Sequence, residues 1–467
     1  MKITKSLSII DEPKVVARLA KFEIIGLFGQ FSYEIPLQIE EHVTAFIAPN
    51  GTGKTLCLRL IEALFSKRWS LFLEVDFDQA VYTFTDGSIV DVRRKPKTGE
   101  SDTKISVSLR GAKGKAAWSP RTNEAKRVAH VERYLPFLTR IGPERWRHDH
   151  SGRVMKLDEI IDEFGERLPD DLIEQFYGAL PSELSILLGI ECKLIETQRL
   201  LILHEQNSGY YYDQPPRKTT SNLAITRKSE KIKQIIAAQI NAYATLSQSL
   251  DRSFPRRVIS QDSNVSPEGL TDVLAGLDDK RKELMAAGIL DTETDEPVEL
   301  PEGPLKREVA SVLHVYAEDT KKKLASLSDL LAKIKLFKKL IDKRFVTKDV
   351  TINRKNGIDV RSGEREIPLE KLSSGEQHQL VLFFEMLFEI KKNSLILIDE
   401  PELSLHVAWQ RQFIGDLLSI IKLNKFDVIL ATHSPQLIGE WEELVVELGD
   451  VDELSEFSYE EEEENPK

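Results

Sequence analysis

Lys371-Leu-Ser-Ser-Gly-Glu-Gln-His-Gln379 decides how this chain is read, because it stands between two other stretches and gives them a common purpose. Upstream is Ala48-Pro-Asn-Gly-Thr-Gly-Lys-Thr55, and downstream is Leu395-Ile-Leu-Ile-Asp-Glu-Pro-Glu-Leu-Ser-Leu-His406. Ser374 and Gly375 open the amphipathic run that continues as a helix over Leu380 to Ile390. A hydroxyl, backbone amides and a helix dipole at such a place can meet an anion. The same letters also describe a plain helix cap, a serine with Gln377 three residues on.

The upstream stretch follows the β-branched run Val43 to Ile47 and continues into a helix whose apolar residues fall at 56, 60, 61, 64 and 65. Strand, glycine loop, helix is the setting in which successive N–H groups cradle phosphates and glycines let the main chain approach them. Asn50, Gly51, Thr52 and Gly53 are expected to form the cradle, with Lys54 reaching the terminal phosphates and Thr55 setting its hydroxyl on Mg²⁺. Ala48 stands where the first glycine of such loops usually sits. Downstream, four apolar residues put Asp399 and Glu400 at the end of a buried strand, on the same sheet edge. Asp399 is placed to hold Mg²⁺ through water, and Glu400 to orient or deprotonate an attacking water. An acidic pair there is also a common helix cap.

Short strands are expected at Phe22 to Ile25, Tyr33 to Leu37, Phe72 to Val75, Ala80 to Phe84, Ile89 to Val92 and Ile105 to Leu109, with a turn at Thr85 to Ser88. Helices are expected at 156 to 167 and 170 to 180, and a returning core strand at Glu191 to Leu203. Long helical patterns cover 222 to 254 and 304 to 344, interrupted by Pro255 and the acidic loop 290 to 304. The second has near-heptad spacing, which predicts a coiled-coil arm of ~60 Å. After it come Val350 to Val360, a helix at Ala408 to Ile421, and the last core strand, Val428 to Ala431, which ends in Thr432-His433-Ser434.

In this order the three stretches resemble the head of ABC-type, SMC-like ATPases, with an α/β fold of mixed core sheet and antiparallel β lobe and an inserted helical, short coiled-coil-like arm. The matching regions, Phe22 to Thr55, Glu191 to Leu200 and Leu340 to Leu437, cover a little under a third of the chain. The resemblance implies ATP and Mg²⁺ as cofactors, and a homo-oligomer in which Ser374, Gly375 and Glu376 of one protomer complete the site of another. It makes His433 the switch histidine beside the γ-phosphate and Gln198 the Mg²⁺-sensing glutamine, with Gln79 as its rival. Asp399-Glu-Pro-Glu-Leu-Ser-Leu-His406 is similar to the corresponding loop of RecF-like and OLD-like ATPases. With the Leu-Ser-Ser-Gly-Glu-Gln-His run it resembles stand-alone AAA-family ATPases of bacterial anti-phage systems, such as the PARIS ATPase AriA and the Septu ATPase PtuA. Such proteins answer a phage-derived trigger and hold or release an effector nuclease. Only about 34 residues follow His433, so a TOPRIM-like nuclease is expected as a separate protein from a neighbouring gene. A RecF-like clamp on DNA is the other reading, to which Arg110, Lys113, Lys115, Arg121, Lys126, Arg127 and Lys321 to Lys323 could contribute.

Composition narrows the field. The 467 residues are 41% hydrophobic and 30% charged, with a net charge of -12. Nine of the acidic charges lie at Asp450, Asp452, Glu453, Glu456 and Glu460 to Glu464, so the body is nearly balanced. Cys57 and Cys192 are the only cysteines, which excludes a disulfide framework and a cysteine metal cluster. No apolar run spans a bilayer, no signal pattern opens the chain, and the cytoplasm is expected. The expected division is 1-204 and 345-449 for the two halves of the head, 205-344 for the insertion and 450-467 for an acidic tail.

Overall fold

The computed structural model describes residues 17–49, 51–95, 104–120, 131–143, 145–149, 151–196, 224–260, 269–291, 307–405 and 407–448. Asn50, Gln198 and the acidic tail lie outside them. The chain divides into two compact units: residues 1–196, 391–402 and 425–467, and residues 197–390 and 403–424.

The first unit is built on a parallel sheet of β3 (Val43–Ile47), β11 (Cys192–Glu196), β15 (Leu395–Asp399), β16 (Asp427–Thr432) and β17 (Val445–Glu447), in the order β11-β15-β16-β3-β17. Ile396, Leu397, Ile398, Ile429, Leu430 and Ala431 are all buried, the continuous apolar pattern of strands covered on both faces. Asp399 pairs with Ala431 and Thr432 with Ile47, so β3, β15 and β16 end on one edge. Helix α1 (Lys54–Phe65) packs on β11, β15 and β16.

A second, antiparallel sheet runs β2 (Phe31–Pro36), β1 (Leu19–Leu27), β4 (Gln79–Phe84), β5 (Ile89–Lys95), β6 (Lys104–Gly111) and β7 (Gly114–Trp118). Burial alternates along β4, and its inward Ala80, Tyr82 and Phe84 share a core with Leu60, Ile61 and Leu64 of α1. The Tyr82 hydroxyl donates to the Leu60 carbonyl at 2.9 Å, which satisfies its one buried polar group. The strand expected at Phe72 to Val75 is instead helix α2 (Trp69–Glu74). A short apolar run carries no decisive period, and Trp69 and Phe72, three apart, are both buried on one helical face. Helices α3 (Val131–Tyr134), α4 (Leu157–Phe164), α5 (Asp170–Tyr177) and α6 (Ser182–Leu187) follow, with a small sheet of β8 (Leu138–Gly142), β9 (Arg145–His148) and β10 (Val154–Met155) between α3 and α4 in sequence. That sheet buries Leu138, Trp146 and Met155 between arginines, a pattern too polar to announce itself as strand.

The second unit holds α7 (Ala224–Ser260), α8 (Leu270–Ala286), α9 (Arg307–Ala325) and α10 (Ser328–Asp342), a sheet of β12 (Asp349–Asn353), β13 (Gly357–Ser362) and β14 (Arg365–Glu366), then α11 (Ser374–Phe384) and α12 (Val407–Asn424). The long pattern over 304 to 344 is two helices, broken at Ser326–Leu327, where Gln239 of α7 donates to the Ser326 carbonyl at 2.7 Å. Along α9 the near-heptad spacing does not mark the buried face: Val309 is exposed while Ala310, Val315 and Ala317, off that spacing, are buried, and α9 packs on both α7 and α8. Length comes from α7, whose 37 residues span roughly 55 Å and run through Pro255. Arg257 spans the proline, donating to the Leu250 carbonyl at 2.8 Å and pairing with the buried Asp319 of α9.

Arg344 ties three helices of this unit together. Its buried guanidinium donates to the Leu340 carbonyl of α10 and to Asp416 of α12, and lies 4.6 Å over the Phe383 ring of α11.

Candidate functional site

The edge where β3, β15 and β16 end gathers most of the residues singled out from the sequence. Gly51 and Gly53 have φ of +85° and +90°, the left-handed region that glycine enters without penalty. A Cβ at Gly53 would also lie 2.7 Å from the end of the buried Leu27 side chain, which would have to shift. Gly53 precedes α1 and no side chain caps it, which leaves the first-turn amides of α1 facing the loop. Tyr33 donates to the Thr52 carbonyl at 3.0 Å and the Thr52 hydroxyl to the Pro49 carbonyl at 2.8 Å.

Lys54 is 5% exposed and folds back on its own loop, donating to the carbonyls of Ala48 at 2.7 Å and Pro49 at 2.8 Å. Burial lowers its pKa, against the pull of Glu400, Asp399 and Glu402. An ammonium so desolvated among acceptors gains from an arriving phosphate. The Thr55 hydroxyl donates to Asp399 Oδ2 at 2.8 Å, linking the start of α1 to the end of β15.

Beyond Asp399 the chain turns sharply. Glu400 has φ +46°, and its N–H donates to the Ala431 carbonyl at 2.9 Å. For a residue with a Cβ the left-handed conformation costs about 1–2 kcal/mol, and such strain gathers at functional sites. Glu400 Oε1 lies 2.9 Å from His433 Nε2, and His433 Nδ1 lies 3.2 Å from Lys54 Nζ. The two contacts fix the tautomer: the ammonium can only donate, so Nδ1 accepts and Nε2 carries the proton given to Glu400. Glu402 accepts the His433 backbone N–H at 2.7 Å. That residue is visible in the sequence but carries no signal of this task.

Gln198 and Asn50 lie outside the described residues. Gln79, its rival, donates to Asp91 Oδ1 at 3.0 Å within the antiparallel sheet. Ser374, Gly375 and Glu376 open α11 in the second unit. The cap there is Ser373, not Ser374: its hydroxyl accepts the Glu376 N–H, and Glu376 returns to the Ser373 N–H at 2.9 Å. Ser-Ser and Glu-Gln offer the capping spacing twice; Glu376, paired with Lys348, serves the cap, while the buried Gln377 donates to the carbonyls of Leu369, Glu370 and Leu372 instead. Burial pushes the Glu376 carboxyl up, but the hydrogen bonds from Lys348 and Ser373 outweigh it and hold the pKa low. A depressed carboxylate stabilises above its unfolded pKa and loses that contribution as pH falls through the folded one, so this cap weakens in acid. Ser373→Ala is expected to cost about 1 kcal/mol, read as faster amide exchange at 374–377, and unchanged exchange would refute the cap.

Among the described residues no group of three or more His, Cys, Asp or Glu could hold a metal. Thr55 and Asp399 nevertheless suit Mg²⁺, which takes one or two protein oxygens and completes its shell with substrate phosphates and water. Cys57 offers no nucleophile, since burial pushes its thiol up to about 12. No helix of the described residues is long and apolar enough to cross a membrane.

A glycine loop at the end of a parallel strand, its lysine, and an acidic strand end joined to it by a threonine define a P-loop ATPase fold. The AAA ATPase domain model matches residues 21–438, and the chain belongs to that family. No curated protein matches it. Among solved structures it is similar to the Smc head domain with an extended coiled coil from Pyrococcus furiosus, bound to the C-terminal domain of ScpA, at 12% identity, over 95% of this chain and 99% of that one, with a TM-score of 0.33. The SMC head domain from Thermotoga maritima gives 13% identity, 92% of each chain and a TM-score of 0.32. The family assignment rests on the sequence match and the site, not on these overlaps.

Proposed function

We propose that this ATPase hydrolyses ATP with Mg²⁺ through Lys54, Thr55, Asp399, Glu400 and His433. The observation that carries the reading is the continuous line Lys54–His433–Glu400 beside the Thr55–Asp399 bond. The loop amides and Lys54 bind the phosphates, and Thr55 and Asp399 hold the cation. Mg²⁺ supplies charge neutralisation on the transferring phosphoryl group. Glu400 takes the proton of the attacking water, and the Nε2–H of His433 holds its carboxylate in place. When Lys54 turns from His433 to phosphate, Nδ1 loses its donor, so His433 can register an occupied loop.

We further infer that protomers pair head to tail, with Ser374 and Gly375 of one closing over Lys54 and Glu400 of the other, and that this clock gates a separate effector nuclease in anti-phage defence. The motif resemblance supports that role, as does the exposed Ser374 that opens α11 beside the Ser373 cap. The exposed Arg110, Lys113 and Lys115 on β6, β7 and the turn between them favour the DNA clamp instead. Steady-state turnover with and without linear duplex DNA separates the two. Turnover indifferent to DNA supports the gate; strong stimulation lost at high salt overturns it in favour of the clamp. Absence of turnover in either case sinks the catalytic roles.

A further inference from the structure

The segment Lys391–Ser394 that leads into β15, residues 186–191 that lead into β11, and Lys113 at the β6–β7 turn enclose a recess of about 490 Å³ within the first unit. It lies at the N-terminal ends of parallel strands. Ser394 and Asp399 are separated by the length of β15, about 16 Å at strand rise, so this is the opposite edge from the loop of Lys54.

Three features mark it as a site. Lys113, Lys391 and Lys392 line it with a single lining carboxylate, Glu191, which pairs with Lys391 at 2.9 Å, while Asp86, outside the lining, lies 3.9 Å from Lys113. The lining carries a net charge of about +2, and about +1 with Asp86 counted, opposite in sign to a phosphate monoester at about −1.5 to −2. Ser394 is 2% exposed, and its hydroxyl has no hydrogen-bond partner among the described residues, although buried hydroxyls are ordinarily satisfied. Ile186 and Ile190 add an apolar wall, and Ile186 is 70% exposed with nothing of its own to cover it. The volume falls in the range of small-molecule pockets, whereas a protein partner needs a broad, flat surface.

We propose that this recess is a second ligand site, for a phosphate monoester of mononucleotide size, with its phosphate among Lys113, Lys391 and Lys392, its polar edge on Ser394 and its apolar body against Ile186 and Ile190. Neither the phosphate loop nor hydrolysis is involved.

AMP is the probe. Titration calorimetry on the whole chain carrying Lys54→Ala, which disables the other phosphate site, is expected to give one AMP per chain. Adding Lys113→Glu and Lys392→Glu, both surface changes, should weaken it at least tenfold with the circular dichroism spectrum unchanged. Photolabelling with 8-azido-AMP should modify peptides containing residues 186–194 or 391–394. Labelling confined to residues 48–55, an affinity indifferent to the charge reversals, or no AMP bound by the Lys54→Ala chain each overturns the proposal.

Discussion

Glu400→Gln is expected to lower steady-state ATP turnover by about 10²–10⁴-fold, the usual contribution of a positioned general base, while nucleotide binding stays near that of the parent chain. The amide oxygen of glutamine can still accept the His433 Nε2–H that now reaches Oε1 at 2.9 Å, so the site keeps its shape and loses only its base. If head-to-tail pairing needs ATP and ends with hydrolysis, the same variant should accumulate as a paired species in sedimentation with ATP. Turnover within threefold of the parent would remove Glu400 from the chemistry. Because Glu400 holds φ +46°, Glu400→Gly should relieve strain and raise the urea midpoint even as it abolishes turnover. A residue that costs stability and supplies activity is expected to behave in this opposed way.

Arg344→Ala is the larger expected loss of stability. Its side chain is 0% exposed and that of Asp416 is 6% exposed, and removing one member of a buried pair typically costs about 3–5 kcal/mol. Lys343, 3.3 Å from Asp416 but 44% exposed, compensates in part and places the expectation near the lower end. The Phe383 ring also loses the guanidinium packed over it. Urea unfolding followed by the helical signal reads this out, since the second unit is mostly helix. Replacing both partners, as Arg344→Met with Asp416→Leu, should recover most of the loss, because no charge is then stranded. If the double variant is no better than Arg344→Ala, the pair's burial is not what the helices depend on.

What could be read from residues alone follows from how each element is stabilised. Val43 to Ile47, Leu395 to Ile398 and Val428 to Ala431 are short and, but for the buried Thr44, apolar, so their strands were legible, and with them the edge that gathers Lys54, Thr55, Asp399, Glu400 and His433. Elements that depend on distant partners were not. Trp69 and Phe72 become helical against their neighbours in the core, and β8 to β10 hide one inward residue each among arginines. The heptads over 304 to 344 read as one arm because spacing says nothing of two partners; Gln239 at Ser326 reveals the break. Likewise, Ser373 and Ser374 are equivalent on paper until the fold turns Gln377 to the carbonyls of Leu369, Glu370 and Leu372 and leaves Glu376 to the cap.

The strand order carries a consequence for biosynthesis. β3 lies between β16 and β17, and its flanking His42 bonds Asp427, 385 residues later at 2.7 Å. At ribosomal rates of about 5–20 residues per second, β3 waits roughly 20–80 s with both edges unpaired. During that interval the nascent chain presents an apolar strand to whatever it meets, the circumstance in which a chaperone holding the first half would raise the yield of active enzyme.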